Sequence, residues 1–301
     1  LTPKVTVLMS VYNGEKYLYD AVQSILNQTY SDFEFIIIDD ASTDNSFPIL
    51  KNFNDSRIKI ISNLKRMGLT NSLNIGLLLA EGEYIARMDA DDISLSERLE
   101  YQVRFLDRNP DVAVVGTNEK HIDANGNELF LSNLPSSKNL VRWGLYFGNC
   151  ICHPSVMMRY KCLREVGFYN TRYSRTQDYD LWMRLLNRYD IANIPHILFC
   201  LRNHQNSVSV VYSIDQRCNL LLISEKAYFE LINEQIPRNI VEKLQNLKTI
   251  KTFHELLSAT TYLYKIYNAF ITKYTIPNNE LWVIRFDVLM RCFKLLKGAI
   301  S

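Results

Sequence analysis

Apolar runs alternating with helical spacing dominate the N-terminal third of the chain. Val5–Val11, Phe33–Ile38, Arg57–Ile61 and Glu83–Met88 read as strands. Between them, Glu15–Asn27, Asp44 to about Phe53, and Leu69–Ala80 carry apolar residues three and four apart, the spacing of one helix face. Strands alternating with helices of this length predict βαβ units around a mostly parallel sheet, and hence an α/β fold. Ligands of such sheets bind in the crevice beyond the carboxyl ends of the strands. Val11-Tyr12-Asn13, Asp39-Asp40 and Asp89–Asp92 all fall at such ends.

The rest of the chain is less regular. Glu97–Leu106, Leu140–Phe147, Cys162–Val166 and Tyr179–Asn187 read as helices, Val112–Gly116 as a strand, and Asp123–Asn127 as a tight turn. Beyond Ser209 the pattern is helical, punctuated by Pro237 and Pro277. This places a boundary near 212, with residues 1–212 as one domain and 213–301 as a helical C-terminal region. With 301 residues and 47% hydrophobic content, the chain can bury a sizeable core. A net charge of +2 gives no case for nucleic acid as a partner. The charge is uneven: residues 215–301 hold 12 Lys/Arg against 8 Asp/Glu. The six cysteines form no regular framework, which suits reduced thiols in a cytoplasmic protein. No leader precedes Val5, and no uncharged apolar run reaches the ~18 residues that a membrane span needs.

Several polar clusters at the expected strand ends have the residue types for chemistry. Asp89 and Asp91 are two apart, so an extended backbone points them to one side, where a divalent cation relieves their repulsion. The simpler reading is an acidic turn before a helix capped by the Ser94/Glu97 pair. A carboxylate of Asp39-Asp40 suits the imide N–H of a uracil or ribose hydroxyls, whereas Ser42 or Asp44 suits a helix cap. Tyr12 suits stacking on a base or plain packing. Lys65-Arg66 screen a diphosphate or simply face solvent. Asp178 starts a helix, where capping and general-base catalysis are both open to it. His204, in a polar loop after a strand, suits a metal or phosphate contact. His153, before Pro154 in an apolar stretch, reads as structural.

Three stretches resemble the family 2 glycosyltransferases: VTVLMSVYNGEKYLYDAVQSILNQTYSDFEFIIIDDASTD, GLTNSLNIGLLLAEGEYIARMDADD and QDYDLWMRLL. They cover about residues 4–210 in the family's order. The resemblance implies a GT-A fold, Rossmann-like with a mostly parallel central sheet, carrying an α-helical extension. It implies that Ser10 and Tyr12 line a nucleotide pocket and that Asp40 binds the base edge; Arg66, from the basic loop, is taken as a contact of the nucleotide-sugar. Asp89 and Asp91 match the family's DxD, with Asp91 as the direct ligand of Mn²⁺ or Mg²⁺ and Asp89 shared with the ribose. His204 falls where many relatives carry a late histidine near the metal. Asp178 matches the catalytic base, although Gln177 stands where the family usually has Glu. The implied reaction is inverting transfer from a nucleotide-sugar, by family habit a UDP-sugar. The acceptor is a hydroxyl of a glycan or lipid-linked saccharide in cell-surface polysaccharide synthesis. Processive relatives carry several membrane spans and Gln-x-x-Arg-Trp after the base. Here Arg142-Trp143 precede Asp178 without the glutamine, which favours single additions.

A non-catalytic nucleotide-sugar scaffold needs the metal site but not the base. A nucleotidyltransferase needs a Gly-rich phosphate loop, and Ser10–Gly14 is not one. No G-x-G-x-x-G follows the first strand, which argues against a dehydrogenase. Outside the resemblance, Glu280–Lys297 shows one broad apolar face, with Asp287, Arg291 and Lys294 on the remainder. Such a helix suits core packing, a homo-oligomer contact, or peripheral association with the cytoplasmic leaflet of a membrane.

Overall fold

The computed structural model describes residues 2–173, 175–204, 213–247 and 250–300. They divide into two compact units, Leu1–Ser136 with Ile151–Tyr212 and Ser137–Cys150 with Ser213–Ser301. Residues 205–212, which include the expected boundary, lie outside the described residues. The segment 137–150, which the sequence reading put in the first domain, groups with the C-terminal helices.

The first unit is built on one sheet. Its leading half comprises β1 (Val5–Val11), β2 (Phe33–Asp39), β3 (Ile58–Ser62) and β4 (Tyr84–Asp89). They lie in the order β3-β2-β1-β4, all parallel. Helices α1 (Leu18–Leu26), α2 (Ser46–Lys51) and α3 (Leu69–Leu79) make the crossovers. Both faces of β1 are covered, which explains its largely apolar sequence, interrupted only by Thr6 and Ser10. Val5, Val7, Met9 and Val11 join the core of Leu18, Ala21, Val22 and Ile25 from α1. Leu8 meets α3 at Gly76, where an added Cβ would come within 2.1 Å of its Cδ1. Glycine there lets the helix lie close on the strand.

The trailing half is mixed. It contains β5 (Ile93–Ser94), α4 (Arg98–Arg108), β6 (Val112–Ile122), β7 (Glu128–Leu131), β8 (Met157–Arg159), α6 (Tyr160–Val166), α7 (Gln177–Leu186) and β9 (Asp190–Arg202). β8 pairs antiparallel with β4 and β6, β9 runs parallel to β6, and β5 pairs antiparallel with β9. β6 continues six residues beyond the expected Gly116. Its later half is polar in sequence, but Asn118 and Glu119 are buried and accept or donate hydrogen bonds to the Ser132–Leu134 segment. The turn expected at Asp123–Asn127 is present, tied by the Asp123 carboxylate.

The second unit gathers α5 (Lys138–Leu145), α8 (Ser213–Ile232), α9 (Arg238–Gln245), α10 (Phe253–Lys273) and α11 (Asn278–Ile300). Trp143 of α5 is its aromatic centre, 5.1 Å from the Phe270 ring and 4.8 Å from Phe147. Its indole N–H donates to Asp287 at 2.7 Å. Among the described residues, no helix is long and apolar enough to cross a membrane.

Candidate functional site

The carboxyl ends of β1, β2 and β4 converge. Ser10 pairs in register with Asp89, and Val11 with Asp39. The loops leaving β1 and β2 are laced together. The Asn13 amide N–H donates to Ser42 Oγ at 3.1 Å, Asn13 Oδ1 accepts from the Thr43 N–H at 2.8 Å, and the Gly14 N–H donates to Ser46 Oγ at 2.8 Å. Asn13 (φ 52°) and Ala41 (φ 58°) both take left-handed backbone. For alanine this conformation is strained, and such strain collects at functional crevices.

Asp40 is buried and its carboxylate already carries three donors. These are Asn63 Nδ2 at 2.7 Å, the Met67 N–H at 2.7 Å and the Gly68 N–H at 2.8 Å. It therefore anchors the loop between β3 and α3. Gly68 turns the chain there at φ 84°, a conformation open to glycine at low cost. The same loop carries Arg66, whose guanidinium lies 4.0 Å from the centroid of the half-exposed Tyr12 ring. A carboxylate has about four acceptor sites, so the three donors leave one acceptor position of Asp40 unused.

Asp89 ends β4, and Asp91 lies in the turn that follows rather than in extended backbone. The turn does what the two-residue spacing was expected to do, and it adds a third acid. Carboxylate oxygens of Asp89, Asp91 and Asp92 all lie within 4.8 Å of one another. Asp92, which the sequence assigns to the lead of the next helix, is buried instead. The proposed Ser94/Glu97 cap is absent: Ser94 sits in β5 and takes a hydrogen bond from Gln28, and Glu97 makes no side-chain cap. Asp92 Oδ1 accepts the Arg202 amide at 2.8 Å, while its buried Oδ2 has no partner among the described residues. Burial, then the charges of Asp91 and Asp89, pushes the Asp92 carboxyl well above its usual range. Asp91 is pushed up by burial and by Asp89, and its hydrogen bond to His204 pulls the other way.

Strand β9 closes the triad from the far side of the sequence. Arg202 Nε donates to the Asp91 carbonyl at 2.8 Å, and its guanidinium stacks 4.4 Å from the Tyr17 ring. Two residues on, His204 Nε2 lies 2.8 Å from Asp91 Oδ2, and its ring is 5.5 Å from Tyr17. Three hard oxygen donors, one with an orphaned buried atom, and an adjacent imidazole fit a divalent cation of the magnesium or manganese type.

Arg87, invisible to the sequence reading, lies under the triad. It is buried and ion-paired with Asp89. Burial opposes its charge, and the Asp89 carboxylate more than offsets that, holding the guanidinium protonated. Its Nε and Nη1 have no hydrogen-bond partner among the described residues. Beside it, the Tyr169 hydroxyl meets His153 Nε2 at 2.9 Å, so His153 is the buried structural residue expected. Burial raises the Tyr169 phenol, Arg87 lowers it, and the nearby charges of Asp178 and Asp89 raise it further. Asp178, in the first turn of α7, thus belongs to the same electrostatic neighbourhood as Asp89 and Arg87. Asp180 instead forms an ion pair with Arg184 one turn along the helix. Tyr169 and Arg202 act through long-range contacts, whereas Arg87 pairs with Asp89 in its own strand. The only local signals were a charge inside a buried strand and an Arg ending a buried one.

The family model for glycosyl transferase family 2 matches residues 6–167. An uncharacterized glycosyltransferase of Haemophilus influenzae is 32% identical over 288 residues, covering 92% of this chain and 89% of the relative. The O-antigen biosynthesis glycosyltransferase WbnJ of Escherichia coli is 35% identical over 206 residues, covering 67% of this chain and 79% of WbnJ. Staphylococcus aureus TarS residues 1–349, solved with UDP-GlcNAc, superposes with a TM-score of 0.63 at 17% identity. That match covers 98% of this chain and 89% of the TarS chain, and it shows the same GT-A fold. By sequence and by fold, the chain belongs to glycosyl transferase family 2.

Proposed function

We propose that this protein is an inverting, metal-dependent, non-processive glycosyltransferase working in the cytoplasm. It moves a hexosyl or N-acetylhexosaminyl group from a nucleotide-diphosphate donor to a hydroxyl of a glycan or lipid-linked acceptor in cell-surface polysaccharide synthesis. The observation that carries the reading is the carboxylate triad Asp89/Asp91/Asp92, capped by His204, at the strand ends that also carry Ser10, Tyr12 and Asp40. The UDP-GlcNAc bound to TarS supports a UDP-sugar, and the name of WbnJ supports a polysaccharide product. The cysteines are in no disulfide among the described residues, in keeping with a reducing compartment.

Asp91, Asp92 and His204 would hold Mn²⁺ or Mg²⁺, with Asp89 shared between the ion and the donor. The bound ion neutralises charge that grows on the leaving diphosphate. Tyr12 presents a ring to the base, Asp40 accepts its imide N–H, Ser10 borders the ribose, and Arg66 turns from Tyr12 toward the phosphates. Asp178 takes the proton of the acceptor hydroxyl as that oxygen attacks the anomeric carbon, and one displacement inverts the centre. Arg142-Trp143 belong to the core of the second unit, in keeping with single additions.

A thermal-melt screen of UDP-, GDP- and dTDP-sugars with and without Mn²⁺ tests the reading. Stabilisation by UDP-sugars only when metal is present supports it. Stabilisation by another base corrects the donor, and no stabilisation by any of them defeats the proposal.

A further inference from the structure

The geometry points to α11 as a docking surface for an anionic lipid bilayer, an inference that does not depend on the reaction assigned above. Trp282, Phe286, Leu289, Phe293 and Leu296 recur at spacings of four and three, which is one face of a helix. They are 69%, 64%, 66%, 58% and 46% exposed, so the face has no packing partner among the described residues. From Trp282 to Leu296 it runs ~21 Å at the rise of an α-helix. The single broad face expected from sequence is really two. Ile284 and Leu295 are fully buried on the inner side, and the aromatic stripe points out.

The charges say what covers the stripe. Both acids of α11 turn inward: Glu280 accepts from Asn139 at 2.8 Å, and Asp287 from the Trp143 indole and from Arg291. The exposed charges of the helix are Arg285, Lys294 and Lys297, all basic. The Arg285 guanidinium stays 5.8 Å from the Trp282 ring, at the border of the stripe. An apolar face with large aromatics and a purely basic rim is complementary to acyl chains beneath anionic headgroups. A second copy is a poorer partner. Two-fold packing of this stripe on itself brings the basic rims together, with no exposed acid on α11 to pair with them.

The test is flotation of the full chain with vesicles of phosphatidylcholine, alone or mixed with phosphatidylglycerol, alongside light scattering of the free protein. Two variants accompany it, Phe286→Glu/Phe293→Glu and Lys294→Gln/Lys297→Gln, each checked for an unchanged melt. The proposal expects binding to the anionic vesicles, weakened by salt. The first variant should lose about tenfold or more in partitioning, and the second several-fold. Absence of binding to anionic vesicles overturns the proposal, as does equal binding by the Phe variant. A dimer that the Phe variant dissociates also overturns it, by assigning the stripe to a second copy.

Discussion

His204 Nε2 and Asp91 Oδ2 lie 2.8 Å apart although 113 residues separate them in sequence. The contact exists because Arg202, at the end of β9, clasps the acidic turn through its own amide and side chain. An imidazole placed there fixes the Asp91 rotamer before any ion arrives. His204→Ala should therefore weaken Mn²⁺ activation about 10–100-fold while leaving the donor KM at saturating metal nearly unchanged. Activity titrated against Mn²⁺ at fixed donor measures it.

Asp92 sets a pH dependence. Its folded carboxyl titrates well above its unfolded value because of burial and its acidic neighbours. The folded state thus holds a proton over a range where the unfolded state has released it. The corresponding stability is fully present below the unfolded pKa and is lost as pH rises through the folded one. Metal-free wild type should lose more stability than metal-free Asp92→Asn on going from acidic to neutral pH. Divalent cation should narrow that difference. Melting curves in chelator and in Mn²⁺ across pH decide it, and identical pH slopes for the two proteins would contradict the assignment.

Arg87 compensates the triad from below. Arg87→Met leaves Asp89 and its neighbours without their buried counter-charge. Breaking a buried pair costs about 3–5 kcal/mol; the 31% side-chain exposure of Asp89 places the loss near the lower end, read as a fall in denaturant midpoint. Arg87→Lys should recover part of it, since the charge returns without the planar fork.

The loop held by Asp40 offers a further test. Asp40→Ala frees the Met67 and Gly68 amides and the Asn63 side chain, so Arg66 loses its place over Tyr12. Donor KM should rise about tenfold or more, with stability falling as well. Arg66→Ala should raise KM with little change in melting temperature. A donor KM unchanged in both variants would remove this loop from the nucleotide site.

The fold was legible where local pattern decides it. The four parallel strands and their three crossover helices follow from apolar runs, buried on both faces in β1, β2 and β4, and the strand ends mark Ser10, Tyr12, Asp40 and Asp89. Boundaries shifted where side chains from elsewhere supply the partners, as along the polar second half of β6. Asp92 reads in sequence as a residue leading into a helix, and only tertiary structure shows that its carboxylate accepts the Arg202 amide. Arg87 shows in sequence only as a charge inside an apolar strand, and Tyr169 not at all, since its partner His153 comes from another segment. The loop-anchoring bonds of Asp40 were hidden for a related reason: two of the three donors are backbone amides, which sequence does not distinguish. On α11 the apolar content was visible but its division into inner and outer faces was not. That division depends on which side meets α10 and α5.

The central claim is sugar transfer with Asp178 as the base. Its most direct test compares donor affinity with release of nucleoside diphosphate for wild type and Asp178→Asn, using the sugar nucleotide that stabilises the protein and a hydroxyl acceptor. The account predicts an unchanged donor Kd and a turnover lower by ~10²–10⁴-fold in the variant. Wild-type turnover in Asp178→Asn, or tight donor binding with no turnover in wild type, would contradict it.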